Sequence, residues 1–329
     1  MTGDELLDHL ARLRVAPVGG RRAPHKPLLL LWLFGRLADT GSTMATYLEA
    51  QEPVSQLIND FGPAVSSASV ASHRAAMPFI HLERELWDLR DGVGHPIGPE
   101  AQERGSWLLN VGAVGKLRQP VEAVLADPST MAAAARLLLD RHFTPTLEGM
   151  ICDQVGLDLV ALEATGTRRQ PAPARRPRAS GFAEAVLRSY AYQCAMCGFD
   201  GKLGRNPVAI QAAHVHWHSR GGPDEVDNAL ALCALHHVLF DLGVLGITPD
   251  RRVTVSGDYV ATTSAGRSVD QLAGQRILDV RPGQPTVDIV YIKWHQVQVF
   301  KGDDRGAISA GSLAKWATSR LRSVGGSGR

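Results

Sequence analysis

Four potential metal ligands in the C-terminal half constrain this chain more than any other feature. Cys194 and Cys197 form a C-x-x-C pair, and Cys233 and His236 form a C-x-x-H pair further along. Three thiols and one imidazole are a ligand set for a tetrahedral structural zinc ion. Cys233 and His236 are three residues apart, so on a helix they share one face and can bind the same ion. We therefore expect a small zinc-stabilised domain with a helix that begins near Cys233.

Three further polar residues are interleaved with these ligands in the order His, Asn, His: His214, Asn228 and His237. Residues 208–214 predict a short strand that positions His214. On the helix, His237 is turned about 100° from His236, because an α-helix has about 3.6 residues per turn. The adjacent histidines therefore serve different sites, one at the zinc and one at an open cleft. The segment predicts a β-β-α unit.

This pattern resembles the HNH endonucleases in their zinc-stapled, treble-clef form. The resemblance implies that His214 is the general base that takes a proton from the attacking water. Asn228 would fix the loop and the orientation of His214, and His237 would bind a catalytic Mg²⁺ or Mn²⁺. Many family members place Asp before the first His as a metal ligand, where this chain has Ala213. The candidates to replace that carboxylate are His218, Asp224 and Asp227.

A zinc knuckle that only stabilises a DNA-binding or protein-binding module is the alternative to catalysis. The presence of His214, Asn228 and His237 together favours catalysis. For His216 and His218 two roles stay open, contact with phosphate or a place in solvent, and His218 is also a candidate metal ligand. Cys152 has no cysteine left to pair with and is expected to be a small buried apolar residue.

Cysteine usage and charge suggest a cytoplasmic protein that binds nucleic acid. Three of the four cysteines belong to a metal pattern, which favours a reducing compartment over a disulfide framework. The acidic start predicts no cleavable signal, and the most apolar run, residues 28–34, is far shorter than the roughly 20 residues of a membrane span. Net charge is −6 over residues 1–164 and +8 over residues 165–329. Polyanion binding is therefore expected in the C-terminal half.

Length and composition predict two domains joined by a linker. Residues 166–181 contain five Arg, three Pro and no acidic residue, a composition typical of a semi-extended linker. We therefore predict a domain over residues 1–164, a linker over 165–181 and a second domain over 182–329. The linker serves as a tether and, on its charge, also as an arm that follows phosphates.

The predicted fold class is α+β, with a mostly helical N-terminal domain that contains a small β-hairpin. Hydrophobic periodicity and helix-start signals predict helices over residues 5–13, 27–37, 53–61 and 130–141. The hairpin is predicted from residues 79–82 and 86–89. In the C-terminal domain, alternating segments over 252–256 and 286–292 predict a β-extension of the β-β-α unit.

Two N-terminal segments, residues 21–32 (RRAPHKPLLLLW) and 77–82 (MPFIHL), together with Trp87, carry a second resemblance. They resemble the sulfur-binding domain of phosphorothioation-dependent, McrA-like (Type IV) restriction endonucleases of bacteria. In that family an N-terminal domain binds DNA in which sulfur replaces a non-bridging phosphate oxygen, and an HNH domain cuts nearby. The resemblance implies phosphorothioated double-stranded DNA as the partner and a bacterial cytoplasmic location. Because one HNH site cuts one strand, we expect a homodimer or two sequential visits.

Sulfur recognition calls for an apolar pocket within a basic surround, because sulfur is larger, softer and less hydrated than oxygen while the phosphate stays charged. Pro78 offers a rigid ring face, and Met77 an adaptable apolar neighbour in place of the aromatic residue common in the family. The candidates for phosphate and base contacts are Arg21, Arg22, His25, Lys26, His73, Arg74 and His81. Two alternatives stay open: an N-terminal domain that reads a modified base such as 5-methylcytosine, and a DNA-binding regulator with an inactive HNH module.

Overall fold

The N-terminal unit of the computed structural model, residues 1–166, consists of helices around one small sheet. The model describes residues 1–15, 17, 20–65, 67–166, 179 and 181–302, and the predicted linker lies almost entirely outside these residues. The helices of this unit are α1 (Gly3–Ala11), α2 (His25–Thr40), α3 (Tyr47–Phe61), α4 (Ala68–Ala71), α5 (Ala76–His81), α6 (Gly105–Asn110), α7 (Gln119–Leu125), α8 (Pro128–His142), α9 (Pro145–Val155) and α10 (Leu159–Gly166). The strands β1 (Ala45–Thr46), β2 (Trp87–Arg90) and β3 (Val114–Leu117) form an antiparallel sheet in the order β1-β3-β2.

Capping residues set where the N-terminal helices begin. The four predicted helices correspond to α1, α2, α3 and α8. Helix α3 begins six residues before the predicted start, because Thr46 and Glu49 form a capping box that satisfies the first backbone amides. Asp127 caps α8 in a similar way by accepting from the backbone N–H of Thr130.

The predicted hairpin over residues 79–82 and 86–89 is wrong. Residues 76–81 form helix α5, and only Trp87–Arg90 is a strand, paired with β3 instead. Pro78 lies in the first turn of α5, where its missing N–H costs nothing. The aromatic residues of both segments still meet: the Phe79 ring lies 5.3 Å from the ring of Tyr47 and 5.3 Å from that of Trp87, edge to face. Packing of this aromatic cluster, rather than strand pairing, explains the apolar pattern.

The C-terminal unit, described at residue 179 and over residues 181–302, contains the predicted β-β-α unit. Its helices are α11 (Phe182–Ser189), α12 (Ala234–Asp241), α13 (Ser264–Arg267) and α14 (Ile289–Gln298). Its strands are β4 (Lys202–Leu203), β5 (Asn206–Pro207), β6 (Ile210–His214), β7 (Ala229–Cys233), β8 (Leu245–Ile247) and β9 (Val253–Val255). β6 and β7 pair antiparallel, with His214 opposite Ala229 and Ile210 opposite Cys233, and α12 follows directly.

The predicted β-extension is half confirmed. β8 and β9 form a hairpin, so the segment around residues 252–256 is a strand as expected. The segment over residues 286–292 is not, because it leads into helix α14. Asp288 begins that helix by accepting from the backbone N–H of Val290, and Ile292 and His295 are buried on its inner face.

The two units pack closely against each other. Each has its own buried core, but Trp217 and Val299 of the C-terminal unit belong to the core of the N-terminal unit. The Arg22 guanidinium lies 4.4 Å above the Trp217 ring. Lys301 Nζ donates to the carbonyl oxygen of Asn59 at 3.1 Å. The C-terminal unit, with its β-β-α segment of β6, β7 and α12, is therefore held against the helical N-terminal unit.

Candidate functional site

The four predicted zinc ligands lie together. One ligand atom from each of Cys194, Cys197, Cys233 and His236 falls within 4.8 Å of the others. The His236 Nδ1 atom is 3.5 Å from Cys194 Sγ and 3.3 Å from Cys233 Sγ. Cys233 ends β7 and His236 lies in the first turn of α12, so the strand-to-helix junction brings them onto one side. This separation suits four donors that surround one tetrahedrally coordinated ion.

The electrostatics of this cluster favour a bound cation. Hydrogen bonding from the Cys233 thiol and from His236 lowers the pKa of Cys194, although burial opposes the shift. Burial and the resulting thiolate raise the pKa of Cys197, and the same thiolate together with burial raises the pKa of Cys233. Three thiols this close therefore resist ionising together unless a cation is present, and zinc binds thiolates. The donor set fits a structural zinc ion.

His214 lies at the end of β6 in a defined orientation. Its Nε2 atom is 2.8 Å from Asp224 Oδ1, and its ring stacks on Phe182 with centroids 4.6 Å apart. The side chain is only 6% exposed. The pKa of Asp224 is lowered. Burial raises it, but hydrogen bonds from the backbone N–H of Ala179 and from the imidazole of His214 outweigh that effect. Asp224 is therefore a carboxylate that can orient the His214 imidazole.

Asn228 closes the loop between the two strands. Its side chain is fully buried, its Nδ2 donates to the carbonyls of His216 and Pro223 at 3.0 and 2.8 Å, and its Oδ1 accepts from the backbone N–H of His216 at 2.8 Å. A Cβ on Gly222 would lie 1.8 Å from the His216 carbonyl oxygen, so the loop tolerates only glycine there. Asn228 is thus hydrogen-bonded to the backbone of the loop that follows His214.

We expect Asn228→Ala to destabilise the C-terminal unit. The change leaves the backbone groups of His216 and Pro223 without partners, at about 1–3 kcal/mol for each buried group, so about 3 kcal/mol is a fair expectation. Urea denaturation would measure the free energy of unfolding. The matched control is Asn206→Ala, an exposed asparagine on β5, for which a change within about 0.5 kcal/mol is expected. An Asn228→Ala protein as stable as this control would contradict the assigned role.

His237 faces away from the zinc cluster, as the helical period predicts, and it meets two residues that the sequence predictions omit. Its Nδ1 atom lies 2.7 Å from Gln211 Oε1, and its Nε2 atom lies 3.3 Å from Asp241 Oδ2. Both ring nitrogens of His237 therefore face oxygen acceptors, the amide oxygen of Gln211 and the carboxylate of Asp241. A cation held between Nε2 and the Asp241 carboxylate would be stabilised by both groups. The sequence alone could have indicated that Asp241 lies beside His237, because residues four apart share a helical face.

Asp241 places a buried carboxylate beside His237. It is 2% exposed, and its Oδ1 atom is buried without a hydrogen-bond partner among the described residues. Burial raises the pKa of Asp241, but His237 and the hydroxyls of Thr146 and Thr144 lower it by more. The net shift of the Asp241 pKa is therefore downward. An ionised, buried carboxylate with one unpartnered oxygen beside an imidazole fits a divalent cation.

The two histidines with open roles have different positions. His216 is half-buried: its Nε2 lies 3.0 Å from the Arg220 carbonyl, and its ring stacks on Trp294 with centroids 4.2 Å apart. Burial lowers its pKa to about 4, so at neutral pH it is uncharged and serves packing. His218 lies 5.7 Å from the His214 ring and 3.9 Å from Asp224.

A cleft of about 1310 Å³ is lined by His214, His218, His237 and Asp241. His214, His218 and His237 line one wall, and the end of α8 and the start of α9 line the other, including Arg141 and Thr146. The cleft lies between the two units, so both contribute to the surroundings of the histidines.

Three of the predicted DNA-contacting residues are buried at the junction of the two units. Arg22 Nε donates to the Gln298 carbonyl at 2.9 Å, and Arg74 Nη1 donates to the Pro63 carbonyl at 2.9 Å. The His25 Nε2 atom lies 3.2 Å from Arg74 Nη2. Burial, with the neighbouring arginines, lowers the pKa of Arg22 to about 9 and that of His25 to about 3. In this arrangement these side chains contact protein.

Most of the other predicted contacts are already paired. Lys26 is 2.7 Å from Glu83, and His81 is 2.6 Å from Glu103. Arg21 Nη1 donates to the Ala64 carbonyl at 3.3 Å, and the exposed His73 lies 3.3 Å from Gln51. Met77 is half-buried and Pro78 buried in α5.

Comparison with known proteins identifies both units. Residues 3–160 match the family of ScoMcrA-like DNA sulfur-binding domains, and residues 194–248 match the HNH endonuclease family. The chain joins a DNA sulfur-binding domain to an HNH endonuclease domain. Both resemblances are therefore confirmed, and the HNH match spans the four zinc-ligand candidates as well as His214, Asn228 and His237.

Solved structures similar to the chain include the sulfur-binding domain of SprMcrA complexed with phosphorothioated DNA, at 20% identity and TM-score 0.39, over 48% of this chain and 95% of that chain. The sulfur-binding domain of ScoMcrA complexed with phosphorothioated DNA is 22% identical, with TM-score 0.37, over 47% and 96%. The modification-dependent TagI restriction endonuclease is 26% identical, with TM-score 0.28, over 38% and 39%. No curated protein matches the chain.

Within the part of the chain that the structure describes, no helix has the length and apolar character to cross a membrane. Residues 28–34, the most apolar run of the sequence, lie in α2 and are almost entirely buried.

Proposed function

We propose that the protein is a metal-dependent endonuclease that recognises phosphorothioated double-stranded DNA and hydrolyses a phosphodiester bond nearby. One observation carries the proposal: the histidines of the HNH domain line a cleft whose other wall belongs to the sulfur-binding domain. A DNA strand bound by the sulfur-binding domain would then lie close to the HNH residues. The two matched families supply the reading and the cutting functions.

His214 acts as the general base in this proposal. Asp224 orients the ring at Nε2, and the imidazole accepts a proton from the attacking water as the water oxygen bonds to phosphorus. The bond from phosphorus to the departing oxygen breaks, and that oxygen gains a proton. Phe182 fixes the plane of the imidazole by stacking, and Asn228 fixes the adjoining loop.

His237 and Asp241 would hold the divalent metal, Mg²⁺ or Mn²⁺. When bound, such an ion neutralises charge on the scissile phosphate and on the departing oxygen. Gln211 orients His237 by accepting from Nδ1, which turns Nε2 toward Asp241. Oriented donors of this kind raise metal affinity, because the ring does not have to reorganise on binding.

Cys194, Cys197, Cys233 and His236 would hold a structural zinc ion in a treble-clef arrangement. The proposal is supported by the compact donor set and by its position at the junction of β7 and α12. Because His237 follows His236 directly, an ion that fixes His236 also fixes the start of the helix that carries His237 and Asp241. Zinc then stabilises the frame and takes no part in hydrolysis.

We place the sulfur contact at Met77 and Pro78. Burying a sulfur face of a few tens of Å² contributes on the order of 1 kcal/mol at about 25 cal/mol per Å². The larger part of the selectivity must come from the cost of dehydrating a phosphate oxygen in an apolar pocket. Arg21, His73 and His81 remain proposed phosphate contacts near this helix, and Arg22, His25, Lys26 and Arg74 would contribute once freed from their present partners.

Cleavage of both strands would need two HNH centres. We therefore propose a homodimer on DNA, because each chain carries one His214–Asn228–His237 set. Sedimentation with and without duplex would show whether two chains assemble. A strictly monomeric complex that still cuts both strands would instead support two sequential visits.

A substrate panel tests the proposed function. The purified full chain would be incubated with Mn²⁺ or Mg²⁺ and matched duplexes that are phosphorothioated, cytosine-methylated or unmodified. We expect metal-dependent cutting of the phosphorothioated duplex only, at least 10-fold above the others. Cutting confined to methylated DNA would support the nuclease function of the HNH domain but contradict the recognition of phosphorothioate by the N-terminal domain. Tight binding of the phosphorothioated duplex without cutting under either metal would indicate a regulator.

A further inference from the structure

The sulfur-binding domain reaches into the HNH centre through two hydroxyls. Thr144 Oγ1 donates to Asp241 Oδ2 at 3.1 Å, and Thr146 Oγ1 donates to the same oxygen. The two threonine hydroxyls are also 2.6 Å apart. Thr144 and Thr146 stand at the start of α9, whereas Asp241 ends α12 of the HNH domain. The contact therefore joins the two matched domains at the carboxylate assigned to the catalytic metal.

The backbone around Thr144 gives an independent sign that these hydroxyls are directed to Asp241. Thr144 is the N-cap of α9, a position at which threonine normally accepts from a backbone amide of the first helical turn. Here its side chain makes no such cap bond. Its hydroxyl instead donates across the domain junction to Asp241. The side-chain capping interaction is absent, and the positive end of the α9 helix dipole lies beside the carboxylate.

The two oxygens of Asp241 differ as a result. Oδ2 accepts from two hydroxyls and faces His237 Nε2 at 3.3 Å. Oδ1 is buried and has no hydrogen-bond partner among the described residues. A buried carboxylate oxygen without a donor is costly unless a proton or a cation reaches it. Two donors on one oxygen fix the rotation of the carboxylate and so fix where the other oxygen points.

We propose that Thr144 and Thr146 of the sulfur-binding domain are positioning residues of the HNH metal site, which they complete by orienting Asp241. This inference rests on the proposed function of the His237–Asp241 pair. The metal site then belongs to both domains, although both of its protein ligands come from one. Docking of α9 against α12 becomes a condition for tight metal binding.

The test removes the hydroxyls without changing shape, in a Thr144→Val/Thr146→Val double variant of the full chain. Mn²⁺ binding would be measured directly from the electron paramagnetic resonance signal of the free ion. Loss of residues that orient a metal ligand typically costs about 10–100-fold in affinity, and we expect a loss in that range. The Mn²⁺ concentration for half-maximal cleavage of the phosphorothioated duplex should rise by a similar factor, with the maximal rate largely recovered at high Mn²⁺.

Three comparisons keep the result interpretable. Thr144→Ser/Thr146→Ser retains both hydroxyls and should bind Mn²⁺ within about threefold of the unaltered chain. Asp241→Asn should lose Mn²⁺ binding altogether. Binding of phosphorothioated duplex in the absence of divalent metal should be unchanged in every variant. If the double valine variant fails to fold, the single Thr146→Val variant replaces it.

Unchanged Mn²⁺ affinity in the folded valine variant would overturn the inference, even if cleavage fell, because the threonines would then serve only domain packing. Weakened Mn²⁺ affinity that serine restores would support it. If the unaltered chain bound Mn²⁺ through Asp241 but cut no phosphorothioated DNA, the proposed substrate would fail while the positioning role stood.

Discussion

Replacing His214 with alanine is expected to reduce cleavage by about 10²–10⁴-fold, the usual contribution of a general base. His216 and His237 cannot take its place without movement, because His216 is stacked on Trp294 and His237 is directed at Asp241. Single-turnover cleavage of the phosphorothioated duplex at saturating metal would isolate the chemical step. Duplex binding and Mn²⁺ binding should stay within about twofold of the unaltered chain.

The control for this variant is His95→Ala, since the His95 side chain is 79% exposed in a turn of the sulfur-binding domain. It should cut at the original rate. A His214→Ala protein that retained more than a tenth of the original single-turnover rate would remove His214 from the chemistry, and Asp224 would then have no imidazole to orient.

The second large effect is expected at the zinc cluster, from Cys197→Ser. Cys197 is exposed, so without a metal this change would alter stability by no more than about 0.5 kcal/mol. Structural zinc in small domains contributes apparent free energies of about 10–16 kcal/mol at pH 7. We therefore expect the variant to lose its bound zinc, to unfold in its HNH domain at markedly lower temperature and to lose cleavage. Zinc content by mass spectrometry and thermal unfolding would measure both effects.

Cys152→Ser is the matched control for the cysteine variant. Cys152 lies buried in α9, outside the cluster, and burial raises the pKa of its thiol to about 11, so it is inert. This protein should keep one zinc per chain. A Cys197→Ser protein with the same zinc content and unfolding temperature as the Cys152→Ser protein would refute the structural site.

The sequence predicts the zinc cluster and the β-β-α unit well because those features depend on local spacing. Cys233 and His236 lie three residues apart at the junction of β7 and α12 and therefore meet on one side, His214 ends β6, and Asn228 directly precedes the paired strand β7. The position of Asp241 beside His237 can be predicted in the same way, because Asp241 lies four residues after His237 on the same helix. Thr144 and Thr146 could not be found this way, since 97 and 95 residues separate them from Asp241.

The N-terminal errors have a different origin. Apolar residues around Phe79 and Trp87 alternate like strands, yet Phe79 lies in a helix because its ring packs between Tyr47 and Trp87. A basic residue in a sequence also carries no sign of its burial. The sequence does not show that Arg22, a proposed phosphate contact, is buried where the C-terminal unit packs on it, or that its side chain donates to the Gln298 carbonyl, 276 residues away. Tertiary packing decides both cases.

The stacking of Arg22 on Trp217, together with its bond to Gln298, bears on how such a protein can be assembled by recombination. A modular nuclease is often pictured as a cutter that can be grafted onto any reader. Here a graft that kept residues 182–302 but exchanged the reader would leave Trp217 without its cation and would expose a large apolar ring to water. A graft in the other direction would bury Arg22 against a surface without the Gln298 carbonyl or leave it in solvent. Successful exchange in evolution or in engineering must therefore carry both faces of the junction together.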